Sequence, residues 1–115
     1  MFAIRPEGGH LLVDLTGRPA KEEVSAMFRE LRGAGGGGRA LVELHVETCL
    51  GSLDTLEVVA GLRELDFPEG YRIALLITDA AMRPSAEFAE TVAFNRGIPV
   101  KVFDERDPAL RWLDA

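Results

Sequence analysis

Glu43, His45 and Glu47 stand at alternate positions in Leu41-Val42-Glu43-Leu44-His45-Val46-Glu47, and Cys49 follows two residues later. On an extended strand successive side chains point to opposite faces, so the three polar groups share one side. A histidine between two carboxylates has the make-up of a general acid/base pair, and a cysteine beside a base can act as a nucleophile. Further acids and hydroxyls fall where strands are expected to end: Asp14 and Thr16, Thr78-Asp79, and Asp104-Glu105. In open α/β sheets the carboxyl ends of strands are where ligands bind.

Three kinds of chemistry can be read from this set. A magnesium site of the response-regulator receiver type needs paired acids after a strand and a lysine before proline. Here Asp14 precedes Leu15 and Lys101 precedes Val102, so only Thr78 fits. Acid/base catalysis by Glu43 and His45 stays open, although a histidine at a strand end is more often a satisfied structural group. His45-Val46-Glu47 also matches the His-x-Glu of zinc deaminases, but their Pro-Cys-x-x-Cys is absent. With His10 on a different strand a metal site has too few ligands, so neither metal nor cofactor is expected. In the third reading the acids cap helices and solvate loops, as expected for Asp79, Asp104 and Asp107.

The elements that must position these groups follow from periodicity. Residues 2–5 and 11–16 read as strands joined at Pro6-Glu7-Gly8-Gly9, which is turn chemistry. Val24, Met27, Phe28 and Leu31 repeat at helical spacing, giving a helix over 19–32 that ends in the glycines 33–38. That glycine run follows a helix and precedes a strand, the reverse of a phosphate-binding loop, and reads as a connector. Residues 40–46 form a strand, and 53–65 a helix with Leu53, Leu56, Val59, Ala60 and Leu62 inward. Residues 73–78 are the most apolar run, a strand covered on both faces. A helix over 84–96, a strand over 99–104 and a helix opened by Asp107-Pro108 complete the chain. Strand–helix alternation of this kind implies a mostly parallel sheet, with the first strand antiparallel at an edge.

The chain has 115 residues, enough for one domain over 1–115 with one core. It is 47% hydrophobic and 28% charged, with a net charge of −6. That balance excludes wholesale disorder and disfavours phosphate backbones and anionic membranes as partners. Neither nucleic acid nor membrane insertion is expected, since the apolar run 73–77 is far below the ~20 residues of a spanning helix. The single Cys49 cannot close an intrachain disulfide, and an unpaired cysteine is more often buried filler than nucleophile. The opening Met1-Phe2-Ala3-Ile4-Arg5-Pro6 lacks the pattern of a signal peptide, and eleven of thirteen basic residues are arginine. A bacterial cytoplasmic protein is the expectation.

The stretch from Leu41 to Asp54 resembles the heart of the STAS fold, the anti-anti-sigma factors of the SpoIIAA type. Their pattern is an apolar strand ending in Asp-Leu, a loop of some six residues, then Asp-Ser-Ser-Gly-Leu entering a helix. Glu43 stands for the strand acid, Gly51 for the motif aspartate, Ser52 for the first serine, Leu53 for the second and Asp54 for the glycine. The closing Gly97-Ile98-Pro99-Val100-Lys101-Val102-Phe103, with Ala109, Trp112 and Leu113, is similar to the branch described as STAS/CRAL-TRIO-like. The resemblance implies a SpoIIAA-like α/β fold, a β-α superhelix with a mostly parallel, mixed five-stranded sheet and four helices.

It also implies function. The family's second serine accepts phosphate from a partner kinase, and Leu53 at that position removes the switch. Ser52 and Thr55 are nearby hydroxyls open to modification, with Ser52 also fitted to cap the following helix. The resemblance therefore points to a non-enzymatic regulatory module that recognises a protein partner, or a second copy of itself, through the loop 47–55. The loop residues concerned are Glu47, Thr48, Cys49, Gly51, Ser52, Asp54 and Thr55. An alternative is a small or lipid-like ligand in an apolar pocket lined by Leu56, Met82, Phe88 and Phe94. An enzyme using Glu43 and His45 is third.

Overall fold

A computed structural model describes residues 1–35 and 37–115. Gly36, within the glycine connector, lies outside the described residues. Strands β1 (Phe2–Glu7) and β2 (His10–Gly17) form an antiparallel hairpin in which Glu7 pairs with His10. Only Gly8 and Gly9 remain for the turn, and Gly8 takes a φ of 61° that an L side chain adopts with strain. Pro6 is therefore inside β1 rather than in the turn. An edge strand tolerates it because its missing N–H need not serve a second neighbour.

From β2 onward the chain alternates. Helix α1 (Lys21–Ala34) leads to β3 (Arg39–Val46), α2 (Ser52–Glu64) to β4 (Arg72–Ile77), and α3 (Arg83–Asn95) to β5 (Val100–Phe103), before α4 (Arg106–Asp114). The sheet order is β1-β2-β3-β4-β5, with every pair after the hairpin parallel. This is the mixed five-stranded, four-helix α/β architecture expected from the alternation.

The two sheet faces are covered unequally. Leu11, Val13 and Leu15 of β2, Val42 of β3, and Ile73 and Leu75 of β4 face α1, α2 and α3, making the main core with Met27, Leu31, Val58 and Leu62. On the other face Leu12, Leu41, Ala74 and Leu76 pack only against α4, through Ala109 and Leu113. Strand β4 is thus apolar on both sides because both are covered. Among the described residues α4 is the helix packed on that second face, which is where Arg5, Asp14, Glu43 and His45 point.

Local differences from the sequence reading have simple causes. Helix α1 runs through Gly33 and Ala34, and Gly35, at a φ of 84°, ends it. In α2 the buried residues are Thr55, Val58, Val59 and Leu62, a spacing of three and four that leaves Leu53 and Ala60 outside. Helix α4 is capped at Glu105 and opens with Arg106, so Asp107 lies in its first turn rather than at the cap. Asp79 does cap: its carboxylate accepts from the Ala81 N–H at the short 3-10 turn Ala80–Met82.

Candidate functional site

The loop between β3 and α2 stands at the carboxyl end of the parallel strands. Glu47 is exposed, its N–H bonded to the Gly17 carbonyl at 2.7 Å and its carboxylate to Arg18 Nε at 3.0 Å. These bonds tie the loop to the end of β2. Thr48, Gly51 and Ser52 are exposed, while Cys49 and Asp54 are half-buried. The N-cap of α2 is Gly51, without a side-chain cap bond, so Ser52 is the first helical residue and not the cap. Its hydroxyl is free of the capping role that the sequence suggested. Thr55, by contrast, is buried, which withdraws its hydroxyl from any modifying enzyme.

Leu53 is the outlier of this turn. It is 76% exposed, one of three large hydrophobic side chains that stand out of the surface, with Met1 and Phe94. Single exposed leucines are ordinary, but this one crowns the loop at the strand ends, with Ser52 and Asp54 on either side.

Beneath the loop lies an apolar cavity of about 110 Å³, bounded by Leu15, Val24, Met27, Leu44, Cys49 and Val58 among others. Val46, Thr48, Cys49 and Leu50 form its roof, and Thr55 on the inner side of the first turn of α2 also lines it. Cys49 thus lines the cavity and packs against the apolar cluster of Ile77, Met82 and Ala86. The residues expected to line such a pocket do not. Leu56, Met82 and Phe88 are absent from its wall, and Phe94 is 80% exposed on the outer side of α3. Helix α2 lines it with Thr55, Val58, Val59 and Leu62 rather than Leu56, and α3 with Ala86, Ala89 and Ala93 rather than Phe88.

Glu43 and His45 do share a face, as alternation requires, but Glu47 is not with them. Their third member is Asp14, which the parallel register sets directly opposite Glu43, with Thr16 opposite His45. His45 Nε2 is 3.6 Å from Glu43 Oε1 and 3.9 Å from Asp14 Oδ1. Arg106 binds Glu43 Oε2 at 2.7 Å and Glu7 at 2.6 Å, and Arg5 binds Asp14 Oδ2 at 3.0 Å. The carboxylates hold the Arg106 guanidinium charged against the burial that opposes it. This network lies on the open sheet face, toward the carboxyl halves of β2 and β3, and lines neither the apolar cavity nor the clefts beside Phe94 and Lys21. Glu43, His45 and Glu47 therefore do not converge: Glu47 is held by Arg18, while His45 neighbours Glu43 and Asp14. Sequence reading missed Asp14 as a neighbour because only the β2–β3 register brings it there. The signal was parity, since Leu12 with Asp14 and Leu41 with Glu43 alternate in step.

The sheet order, the one-sided cover of three helices and the loop leading into α2 together define a SpoIIAA-like, STAS-like fold. Two solved structures carry the likeness. One is an uncharacterized protein of the DUF3478 family with a SpoIIAA-like fold from Shewanella loihica PV-4, at TM-score 0.61 and 22% identity over 97% of this chain and 93% of that one. The other is the anti-sigma factor antagonist SpoIIAA in its unphosphorylated form, at TM-score 0.55 and 15% identity over 100% and 99%. At these identities the likeness establishes the fold. No protein-family model matches the chain, and no curated protein matches it significantly.

Proposed function

We propose that this domain is a non-enzymatic regulatory module that recognises a protein partner through the loop 47–55. The observation that carries the reading is the exposed Leu53 on the first turn of α2, with Glu47, Thr48, Gly51 and Ser52 exposed around it. An apolar anchor inside a polar rim is the usual anatomy of a protein-binding patch. The fold supports it, since the similar SpoIIAA is an anti-sigma factor antagonist. With leucine at the family's phosphate-accepting position, recognition here is constitutive at that residue. Of Ser52 and Thr55, Ser52 is the exposed hydroxyl, free of capping, through which phosphate would act. The net charge of −6 favours a basic partner surface over nucleic acid.

The test is a comparative capture. Wild-type protein and Leu53→Asp are used as bait, and the captured protein is purified and titrated against both. A partner that binds wild type and loses at least about tenfold with Leu53→Asp supports the reading. Equal binding to both baits, or capture of nothing by either, overturns it.

A second reading rests on the cavity, whose lining is almost wholly apolar. Its 110 Å³ is close to that of dry engineered cavities of about 150 Å³ that take up benzene. It fits a small apolar molecule rather than a long acyl chain. No helix is long and apolar enough to cross a membrane among the described residues.

A further inference from the structure

We propose that Asp14, Glu43 and His45 form a binding site for a first-row divalent cation of the zinc class. One ligand atom from each of Asp14, Glu43 and His45 lies within 4.8 Å of the others, on two adjacent strands. A zinc-class ion about 2.1 Å from each of three nitrogen or oxygen donors in a tetrahedron sets those donors about 3.4 Å apart. The two separations from Nε2, 3.6 and 3.9 Å, are within about half an ångström of that spacing, and the set as a whole stays within 4.8 Å. His45 is 45% exposed and free to make them.

The alternative is a plain ion-pair network, and the hydrogen bonding of the histidine distinguishes the two. Neither separation is a hydrogen bond, so the imidazole is not satisfied by either carboxylate. The arginines take the other oxygens instead: Arg106 holds Glu43 Oε2 and Arg5 holds Asp14 Oδ2. Among the described residues no hydrogen bond reaches Glu43 Oε1 or Asp14 Oδ1. The Glu43 side chain is only 14% exposed, and its second oxygen, Oε1, stands 3.6 Å from His45 Nε2. Arg5 and Arg106 thus do what outer-sphere groups do in metal sites: they fix the orientation of the ligating carboxylates. Arg106 is itself anchored by Glu7 at 2.6 Å.

Charge and donor type narrow the ion. Three carboxylates against two guanidinium groups leave the network with a net negative charge, which a dication reverses. Calcium and magnesium prefer oxygen-only shells, whereas an imidazole with two carboxylates suits zinc, cobalt and their neighbours. Three protein ligands on a half-open face leave further positions for water or a ligand's oxygen. The site lies on the sheet face opposite the apolar cavity, and it is independent of the loop 47–55.

Cobalt(II) is the probe, because its visible absorption reports coordination number and its binding is read without any activity. The full chain is titrated with cobalt, then with zinc in competition, alongside His45→Ala, Glu43→Gln, Cys49→Ser and His10→Ala. A saturable single site, weakened about tenfold or more in His45→Ala and Glu43→Gln but unchanged in the other two, supports the proposal. No saturable cobalt spectrum with wild type, or equal weakening by His10→Ala or Cys49→Ser, overturns it. Should the site variants fail to fold, broadening of the wild-type histidine ring resonances by manganese(II) decides. Selective broadening of His45 supports the site, and its absence or equal broadening of His10 refutes it.

Discussion

Tyr71→Phe should make the protein more stable. Tyr71 is 5% exposed, and its hydroxyl has no hydrogen-bond partner among the described residues. In the unfolded chain that hydroxyl is hydrated, so folding strips a polar group without replacing its bonds, at a cost of about 1–3 kcal/mol. Removing the oxygen leaves a void of roughly 15–20 Å³, worth only about 0.4 kcal/mol of lost packing. The ring contact with Phe67, at 4.7 Å between centroids, survives the change. The net expectation is a gain of about 1 kcal/mol, or about 4 °C in the midpoint of thermal unfolding.

The same residue gives a pH signature. Burial pushes the phenol up from its ordinary value of 10.0, partly offset by Arg32 nearby. Below that value the phenol is neutral in both states and contributes no slope. Above it the unfolded chain loses the proton first, so the unfolded state binds fewer protons and stability falls with rising pH until the raised folded value is passed. The advantage of Tyr71→Phe over wild type should therefore widen above pH ~10. Denaturant unfolding at neutral and alkaline pH measures both effects. Tyrosinate absorbance follows the group directly, since Tyr71 is the sole tyrosine. A loss of stability of about 1 kcal/mol or more in Tyr71→Phe at neutral pH would refute the reasoning, because it would mean that the hydroxyl is satisfied.

Two further outcomes are expected. Arg106→Met should destabilise by about 2 kcal/mol, since it leaves the largely buried Glu43 carboxylate without its cation. Urea unfolding checks this, and the same experiment on Glu43→Gln should show a smaller loss. Saturating benzene should raise the thermal midpoint of wild type by linkage. It should do so much less for Ala89→Leu, whose added carbons enter the cavity that Ala89 lines. Equal shifts in both proteins would mean that benzene binds elsewhere.

What could be read in the chain was what depends on local pattern. Element order, the antiparallel first strand and the two-sided burial of β4 all follow from periodicity and turn chemistry within short windows. The caps at Ser52 and Asp107 were displaced by one or two residues, because several polar residues near a helix start compete for the same role. Leu53 was expected inside because a leucine at the head of an apolar helix extends its pattern. Its exposure follows from the buried face that Thr55, Val58, Val59 and Leu62 set, from which position 53 is turned away by the helical period. The cavity wall was misassigned for a related reason. Which side chains fall short of one another depends on packing among three helices, and no window of sequence contains all three.

The acids at the supposed sheet edge show how helix cover, rather than strand position, decides where charge goes. Strand-borne acids in an alternating α/β sequence invite placement at the carboxyl ends, since a covered strand interior cannot hold them. Here α4 has nine residues and covers only part of its face, over Leu12, Leu41, Ala74 and Leu76. Leu12 and Leu41 are apolar because they lie under it. Asp14, Glu43 and His45, two and four residues further along the same strands, lie beyond its reach and are polar on the open face. Arg106, the first residue of α4, spans the boundary, its guanidinium reaching Glu43 on the partly buried side and Glu7 at the hairpin. The polar network therefore follows from a short fourth helix, and the pairing of Asp14 with Glu43 from the parallel register beneath it.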